Sequence, residues 1–165
     1  MMSKFRNAGQ TCVCANRIFV QDSIYDAFSK RLAEKAASMT VGAGTTEGVE
    51  QGPLIDQQGF EKVCSHVEDA IANGANVMAG GKPHSLGGTF FEPTVLTGMT
   101  PKMRMFREET FGPVAGLFRF TDEAEAIEAA NDTEFGLAAY LFTENSARLF
   151  RVSEALEYGI VAANT

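Results

Sequence analysis

Strand-like and helix-like segments alternate along most of this chain, and this alternation limits its fold more than any other feature. The segment 114–120, VAGLFRF, has the apolar composition of a buried strand. The next segment, 121–133, opens with acidic residues that favour a helix N-terminus. Further strands are predicted at 17–21, 75–81, 89–98, 137–143 and 160–164, and further helices at 22–39, about 56–73 and 144–159. This order predicts a three-layer α/β/α fold with a mostly parallel sheet.

The helix predicted at 22–39 carries apolar residues at every fourth position. These residues are Ile24, Phe28, Leu32 and Ala36. Because residues four apart lie on one face of a helix, this face is predicted to pack against the sheet.

Length and composition limit the functions open to the chain. Its 165 residues suit one domain, and 45% hydrophobic with 21% charged residues is typical of globular proteins. A net charge of −7 without a basic cluster argues against a nucleic-acid partner. No apolar run approaches the length of a membrane span, and the first residues do not resemble a signal peptide. Three cysteines cannot form a full disulfide framework, so we expect a cytoplasmic location.

Two of the cysteines, Cys12 and Cys14, lie one residue apart in a polar, glycine-containing stretch before the first strand. A structural zinc site needs about four ligands in paired spacing. The other candidates, Cys64, His66 and His84, have no such spacing, so we predict no metal site. A cysteine–histidine hydrolase needs a positioned imidazole. Both histidines are instead expected in solvent, because one points away from the apolar stripe of its helix and the other lies in a loop.

The remaining interpretation of the cysteine pair is a nucleophile. Backbone N–H groups at a helix start, or a cation such as Arg6 or Arg17, would stabilise a thiolate here. The same N–H groups would receive the oxyanion that forms when a thiolate attacks a carbonyl. Cys64 differs, because it lies on the apolar stripe of its helix and reads as a small buried residue. The spacing alone leaves the role of the pair open.

Two longer motifs carry a resemblance to a known family. FRNAGQTCVCANR, residues 5–17, resembles the catalytic segment of the aldehyde dehydrogenase superfamily, whose common form is N-x-G-Q-x-C. EETFGPV, residues 108–114, resembles its second signature, E-E-x-F-G-P. Matches at 51–56, 90–96 and 131–143 extend the resemblance over essentially the whole chain. Within the superfamily the chain is most similar to succinate-semialdehyde dehydrogenases.

The resemblance implies a single catalytic-domain fragment over residues 1–165, of the aldehyde dehydrogenase catalytic-domain type. It implies that the NAD(P)-binding domain, the general-base glutamate, the oxyanion-hole asparagine and the oligomerisation strand lie outside these residues. We therefore expect a portion of an NAD(P)-dependent enzyme, inactive alone, that oxidises succinate semialdehyde to succinate. The alternative is a non-catalytic thiol redox or assembly module that retains the fold.

The resemblance also implies roles for individual residues. Cys12 resembles the nucleophile, whose thiolate forms a thiohemiacetal and, after hydride loss to NADP or NAD, a thioester. Glu109 resembles the residue that accepts hydrogen bonds from the nicotinamide ribose, and Phe111 resembles the aromatic beside it. Their other interpretations are a solvated acid and a core aromatic.

Two residues relate to substrate and regulation. Arg6 resembles the arginine that pairs with the distal carboxylate of a semialdehyde, although a plain surface arginine is the alternative. Cys14 is a redox-switch candidate, because a strained disulfide with Cys12 would block the nucleophile reversibly. Some enzymes that resemble this chain carry the same C-x-C and are redox regulated, but Cys14 is equally well explained as a small buried thiol. The expected partners are a small-molecule aldehyde and further copies in a homo-oligomer.

Overall fold

The computed structural model describes residues 1–165 and contains five α-helices and six β-strands. In chain order these are α1 (Met2–Phe5), β1 (Arg17–Gln21), α2 (Asp22–Ala37), α3 (Gln57–Ala72), β2 (Asn76–Ala79), β3 (Thr94–Thr97), β4 (Val114–Phe120), α4 (Glu123–Asn131), β5 (Ala138–Leu141), α5 (Ser146–Ala155) and β6 (Ile160–Ala163). Short 3₁₀ turns occupy Arg6–Gly9 and Arg104–Phe106. Every predicted strand and helix is present, and the strands at 17–21 and 114–120 have the predicted bounds.

The strands form two sheets. The larger has the order β1-β4-β3-β2, with β1, β4 and β3 parallel and β2 antiparallel at one edge. The smaller pairs β5 with β6 in parallel. The prediction of a mostly parallel α/β fold is therefore confirmed, with the difference that the strands divide into two sheets.

The larger sheet lies between two apolar cores, which gives the three layers. On one face, Val63 and Val67 of α3 belong to the same apolar core as Leu96 and Phe118 of the sheet. On the other face, α2 packs against the residues of alternate register, such as Leu117. Alternate residues of β3 and β4 therefore enter opposite cores, as expected for strands covered on both sides.

Helix α2 is rotated relative to the prediction, so only part of the predicted apolar face is buried. Tyr25, Ser29 and Ala33 are buried together with the predicted Ala36, whereas the predicted Ile24 is 55% exposed. The Tyr25 hydroxyl donates to a carbonyl of β4 at 2.9 Å, and the small residues below it let the helix approach the sheet closely. A buried, hydrogen-bonded tyrosine thus sets the rotation of the helix, which the four-residue spacing of larger side chains does not reveal.

The apolar face of α2 that is left outside the core borders a large cleft. The cleft has a volume of about 590 Å³ and is lined by α2, β1 and β5, together with the segment that carries Cys12. No helix in the structure combines the length and the apolar character needed to cross a bilayer.

Candidate active site around Cys12

Cys12 lies in an exposed turn between the first 3₁₀ turn and β1. The approach to it is unusual, because Asn7, Ala8 and Gly9 all have positive φ. An alanine in this region is uncommon and persists only where its surroundings hold it. Cys14 closes the turn by donating its backbone N–H to the carbonyl of Thr11 at 2.8 Å. The thiol of Cys12 is therefore presented to solvent by a tightly bent backbone.

The Cys12 segment packs directly on the EETFGP segment. Gly9 lies against Gly112 so closely that a Cβ on Gly9 would overlap the carbonyl oxygen of Gly112. Gly112 in turn packs against Val63 of α3. Two glycines that are about a hundred residues apart thus bring both motifs into backbone contact.

Gln10 and Tyr140 hold the same segment from two further sides. The Gln10 Oε1 accepts from the backbone N–H of Ile55 at 2.8 Å, and its Nε2 donates to the carbonyl of Pro53 at 3.3 Å. The Tyr140 hydroxyl of β5 donates to the carbonyl of Val13 at 2.9 Å. These bonds fix the backbone on both sides of Cys12.

Asn16 is a site residue that the sequence analysis missed. Its Nδ2 donates to the carbonyls of Met105 and Glu108 at 2.9 and 3.0 Å, and its Oδ1 accepts from the N–H of Thr110 at 2.9 Å. The side chain therefore ties the cysteine segment to the segment that carries Glu109. The position of Asn16 inside the first motif is the one sequence signal for a role at the site. Its hydrogen-bond partners lie about ninety residues away and cannot be identified from the sequence.

His66 is also placed differently from the prediction of a solvated histidine. It is fully buried, with Nδ1 3.1 Å from the Thr110 hydroxyl and Nε2 3.1 Å from a Glu108 carboxylate oxygen. Arg104 makes a two-pronged ion pair with the same carboxylate. Hydrogen bonds from Arg104 and His66 lower the pKa of Glu108 to about 2, while burial lowers the pKa of His66 despite the nearby carboxylate.

The buried His66 predicts a pH dependence of stability. Its pKa is lowered in the folded state, so the unfolded state takes up the proton first as the pH falls below about 6.5. The stabilisation is thus present above that pH and is lost below it, at up to about 1.4 kcal/mol per pH unit. We expect urea unfolding to show a smaller loss of stability between pH 7.5 and 5.5 in His66→Gln than in the parent chain. Equal losses in the two proteins would contradict this account.

The large cleft collects some of the predicted site residues and not others. Cys12, Cys14 and Glu109 all line it. Phe111 lies outside the lining, 38% exposed and with φ of 50°. Arg6 is exposed, also outside the lining, and makes no ion pair.

The structure also bears on the other readings of the cysteines. The Arg17 guanidinium donates to the carbonyls of Ala129 and Ala130 at 2.7 and 2.8 Å, so it caps the end of α4 and is not free to hold a thiolate. Neither His66 nor His84 lines the cleft with Cys12, which removes the support for a cysteine–histidine hydrolase. No group of three or more His, Cys, Asp or Glu side chains is arranged to hold a metal ion.

The chain is similar to known proteins in both sequence and structure. Residues 1–165 match the aldehyde dehydrogenase family. The chain is 57% identical to 3-sulfolactaldehyde dehydrogenase from Pseudomonas putida and 54% identical to succinate-semialdehyde dehydrogenase [NADP(+)] from Escherichia coli, over all of its length in both cases. The crystal structure of succinate-semialdehyde dehydrogenase from Burkholderia pseudomallei superposes with a TM-score of 0.97 over 99% of the chain, at 57% identity.

These relatives are longer than the chain, which spans 34% of the length of each of the three. An NAD+ complex of aldehyde dehydrogenase from Bacillus cereus also superposes, with a TM-score of 0.94 over 99% of the chain, at 35% identity and covering 33% of that protein. The match over every residue, together with two sequence motifs packed on each other around an exposed cysteine, decides the assignment. The chain belongs to the aldehyde dehydrogenase family.

Proposed function

We propose that this chain is the cysteine-bearing portion of an NAD(P)-dependent dehydrogenase that oxidises a semialdehyde with a distal anionic group. The observation that carries the proposal is the exposed Cys12 in a segment that packs directly on the Glu109–Gly112 segment. Cys12 and Glu109 both line the large cleft.

Cys12 acts as the nucleophile in this proposal. Its thiolate adds to the aldehyde carbon, a carbon–sulfur bond forms, and the carbonyl π electrons move onto oxygen. In this proposal the Cys12 backbone N–H is one donor to that oxyanion. The bonds from Gln10 and Tyr140 keep the turn in place while the charge develops, so little reorganisation is needed.

Glu109 and Phe111 would hold the nicotinamide end of the cofactor. Glu109 offers two carboxylate oxygens to a vicinal diol, and the ring of the partly exposed Phe111 is the aromatic that would pack beside the ribose and nicotinamide. When bound, the dinucleotide supplies the hydride acceptor that completes oxidation of the aldehyde. Thr110 lies between Glu109 and Phe111 in the chain. Asn16 and His66 both hydrogen-bond to Thr110 and so help to position its two neighbours.

Arg6 would select the substrate. The two curated relatives act on succinate semialdehyde and 3-sulfolactaldehyde by their names, and both compounds carry an anion away from the aldehyde. A guanidinium that is exposed and has no ion pair in the protein is available to a carboxylate or a sulfonate.

Cytoplasmic location and homo-oligomeric assembly remain predictions.

A chimera tests the proposed function. Residues 1–165 replace the matching third of the Escherichia coli succinate-semialdehyde dehydrogenase, which is 54% identical over this stretch. We expect NADP-dependent oxidation of succinate semialdehyde, and we expect the Cys12→Ser form of the chimera to lose it. We expect no NADPH formation by the 165-residue chain alone. A folded chimera without activity would favour the non-catalytic thiol or assembly module. Turnover by the 165-residue chain alone would contradict the proposal that it is only the cysteine-bearing portion of the enzyme.

Cys14 supplies a separate prediction about redox control. It lines the same cleft as Cys12, and its thiol faces the carbonyl of Arg6 at 3.7 Å. Under dilute peroxide we expect the Cys12 sulfenic acid to condense with the Cys14 thiol, with loss of water, to a disulfide that mild thiol reductants reopen. Peptide mapping by mass spectrometry measures the linkage, with Cys14→Ser as the control. Oxidation of Cys12 to sulfinic acid in the parent chain, without any linked peptide, would rule the switch out.

A further inference from the structure

Lys4 is a buried nucleophile that the proposed reaction does not use. It lies in α1 and is only 3% exposed, yet its side chain makes no hydrogen bond or ion pair within the protein. The amine is not fully enclosed, and Lys4 lines the large cleft. Lys4 is therefore almost fully buried in the wall of the cleft.

The surroundings of Lys4 make its amine unusual. Burial lowers the pKa of Lys4 from 10.5 to about 8, and the two acidic groups that face it, Cys14 and Glu109, offset only part of this effect. Near pH 7 roughly a tenth of such amines are uncharged, against less than a thousandth for an ordinary lysine. A free amine is the nucleophilic form, and lysines of this kind are the ones that form Schiff bases.

We propose that Lys4 is a second carbonyl-reactive group of the cleft, an amine that condenses reversibly with small aldehydes. The nitrogen lone pair adds to the aldehyde carbon, and proton transfer to oxygen gives a carbinolamine. Loss of one water molecule then gives the imine, and addition of water reverses the step, so no oxidant or reductant takes part. The proposal does not depend on Cys12 acting as a nucleophile.

The remaining lysines make the test discriminating. Lys30, Lys35, Lys62, Lys82 and Lys102 are all exposed, whereas Lys4 is buried. If access alone governed modification, these five would react first and Lys4 last. Preference for Lys4 therefore requires the special environment of its amine.

Reductive trapping provides the experiment. The 165-residue chain is treated with dilute propanal and sodium cyanoborohydride, which reduces an imine to a stable secondary amine, over pH 6 to 10. Tandem mass spectrometry of the N-terminal peptide separates the Lys4 ε-amine from the Met1 α-amine, which is also reactive near neutral pH. At pH 7.5 we expect Lys4 to be labelled at least ~10-fold faster than Lys30, with a rate that rises to a midpoint near pH 8. If the labelling rates instead follow solvent exposure, so that Lys30 is labelled as fast as Lys4 or faster, the proposal is overturned.

Variants separate this site from the proposed function. Lys4→Arg keeps the charge and removes the reactive amine, so the adduct should be lost, whereas the matched change Lys30→Arg should leave the Lys4 adduct intact. If Lys4→Arg does not fold, the pH profile of Lys4 in the parent chain decides. Cys12→Ser should retain labelling at Lys4, so failure of the nucleophile assignment and failure of this site are told apart.

Discussion

Cys12→Ser should reduce acyl transfer from p-nitrophenyl acetate to the chain by on the order of a thousandfold. In the parent chain the Cys12 thiolate attacks the ester carbonyl, p-nitrophenolate leaves, and an acetyl thioester remains. Serine keeps the size and position of the side chain, but its hydroxyl is not ionised near neutral pH. No histidine lines the cleft to remove its proton. The measurement is the rate of nitrophenolate release, with the acetylated residue located by mass spectrometry.

The other two cysteines supply the controls. Cys64 is partly buried on α3 and outside the cleft, so Cys64→Ser should leave the acylation rate nearly unchanged. Cys14→Ser tests whether the neighbouring thiol shares the reaction, and we expect Cys12 to remain acetylated in this variant. An acetyl group found mainly on Cys14 or Cys64 in the parent chain would remove Cys12 from the nucleophile's role.

Gly9→Ala should destabilise the chain by about 3–5 kcal/mol and displace the cysteine segment. Gly9 has φ of 72°, and its added Cβ would overlap the backbone carbonyl of Gly112, which cannot rotate aside as a flexible side chain can. This cost is a large fraction of the stability of a typical domain. Urea unfolding measures the stability, and the p-nitrophenyl acetate reaction measures the effect on Cys12.

Gly48→Ala is the matched control for this variant. Gly48 has φ of 79°, close to that of Gly9, but nothing lies within 4 Å of the position that its Cβ would take. It should therefore lose only about 1–2 kcal/mol, the cost of a left-handed alanine, and keep the reactivity of Cys12. If Gly9→Ala and Gly48→Ala were equally mild, the contact between the two motifs would not be needed for the site.

Local patterns carried most of the information about secondary structure. The segments 17–21 and 114–120, rich in apolar strand-forming residues, predict β1 and β4 with their observed bounds. Asp56 accepts a hydrogen bond from the third residue of α3, so its side chain marks the helix start. Such signals act within a few residues, where the sequence is sufficient.

The rotation of α2 and the burial of His66 show where local patterns end. The spacing of Ile24 and Phe28 reads as a core-facing stripe, but Tyr25 has hydrogen-bond partners at Gly98 and Leu117 that only the folded chain brings within reach. His66 is tolerated in the core because Thr110 and Glu108 satisfy both of its ring nitrogens. A buried polar side chain is stable only with such partners, and their identity is a tertiary property.

The sequence by itself determined the fold class, the family resemblance and the residues proposed for chemistry, because strand and helix patterns and the two motifs are written in contiguous residues. Only the tertiary structure decided that Gly9 meets Gly112, that Asn16 joins the two motifs, and that Lys4 lines the same cleft as Cys12 and Glu109. These contacts join residues up to about a hundred positions apart. They depend on how helices and sheets pack, and that packing follows from the sum of many weak interactions across the whole chain.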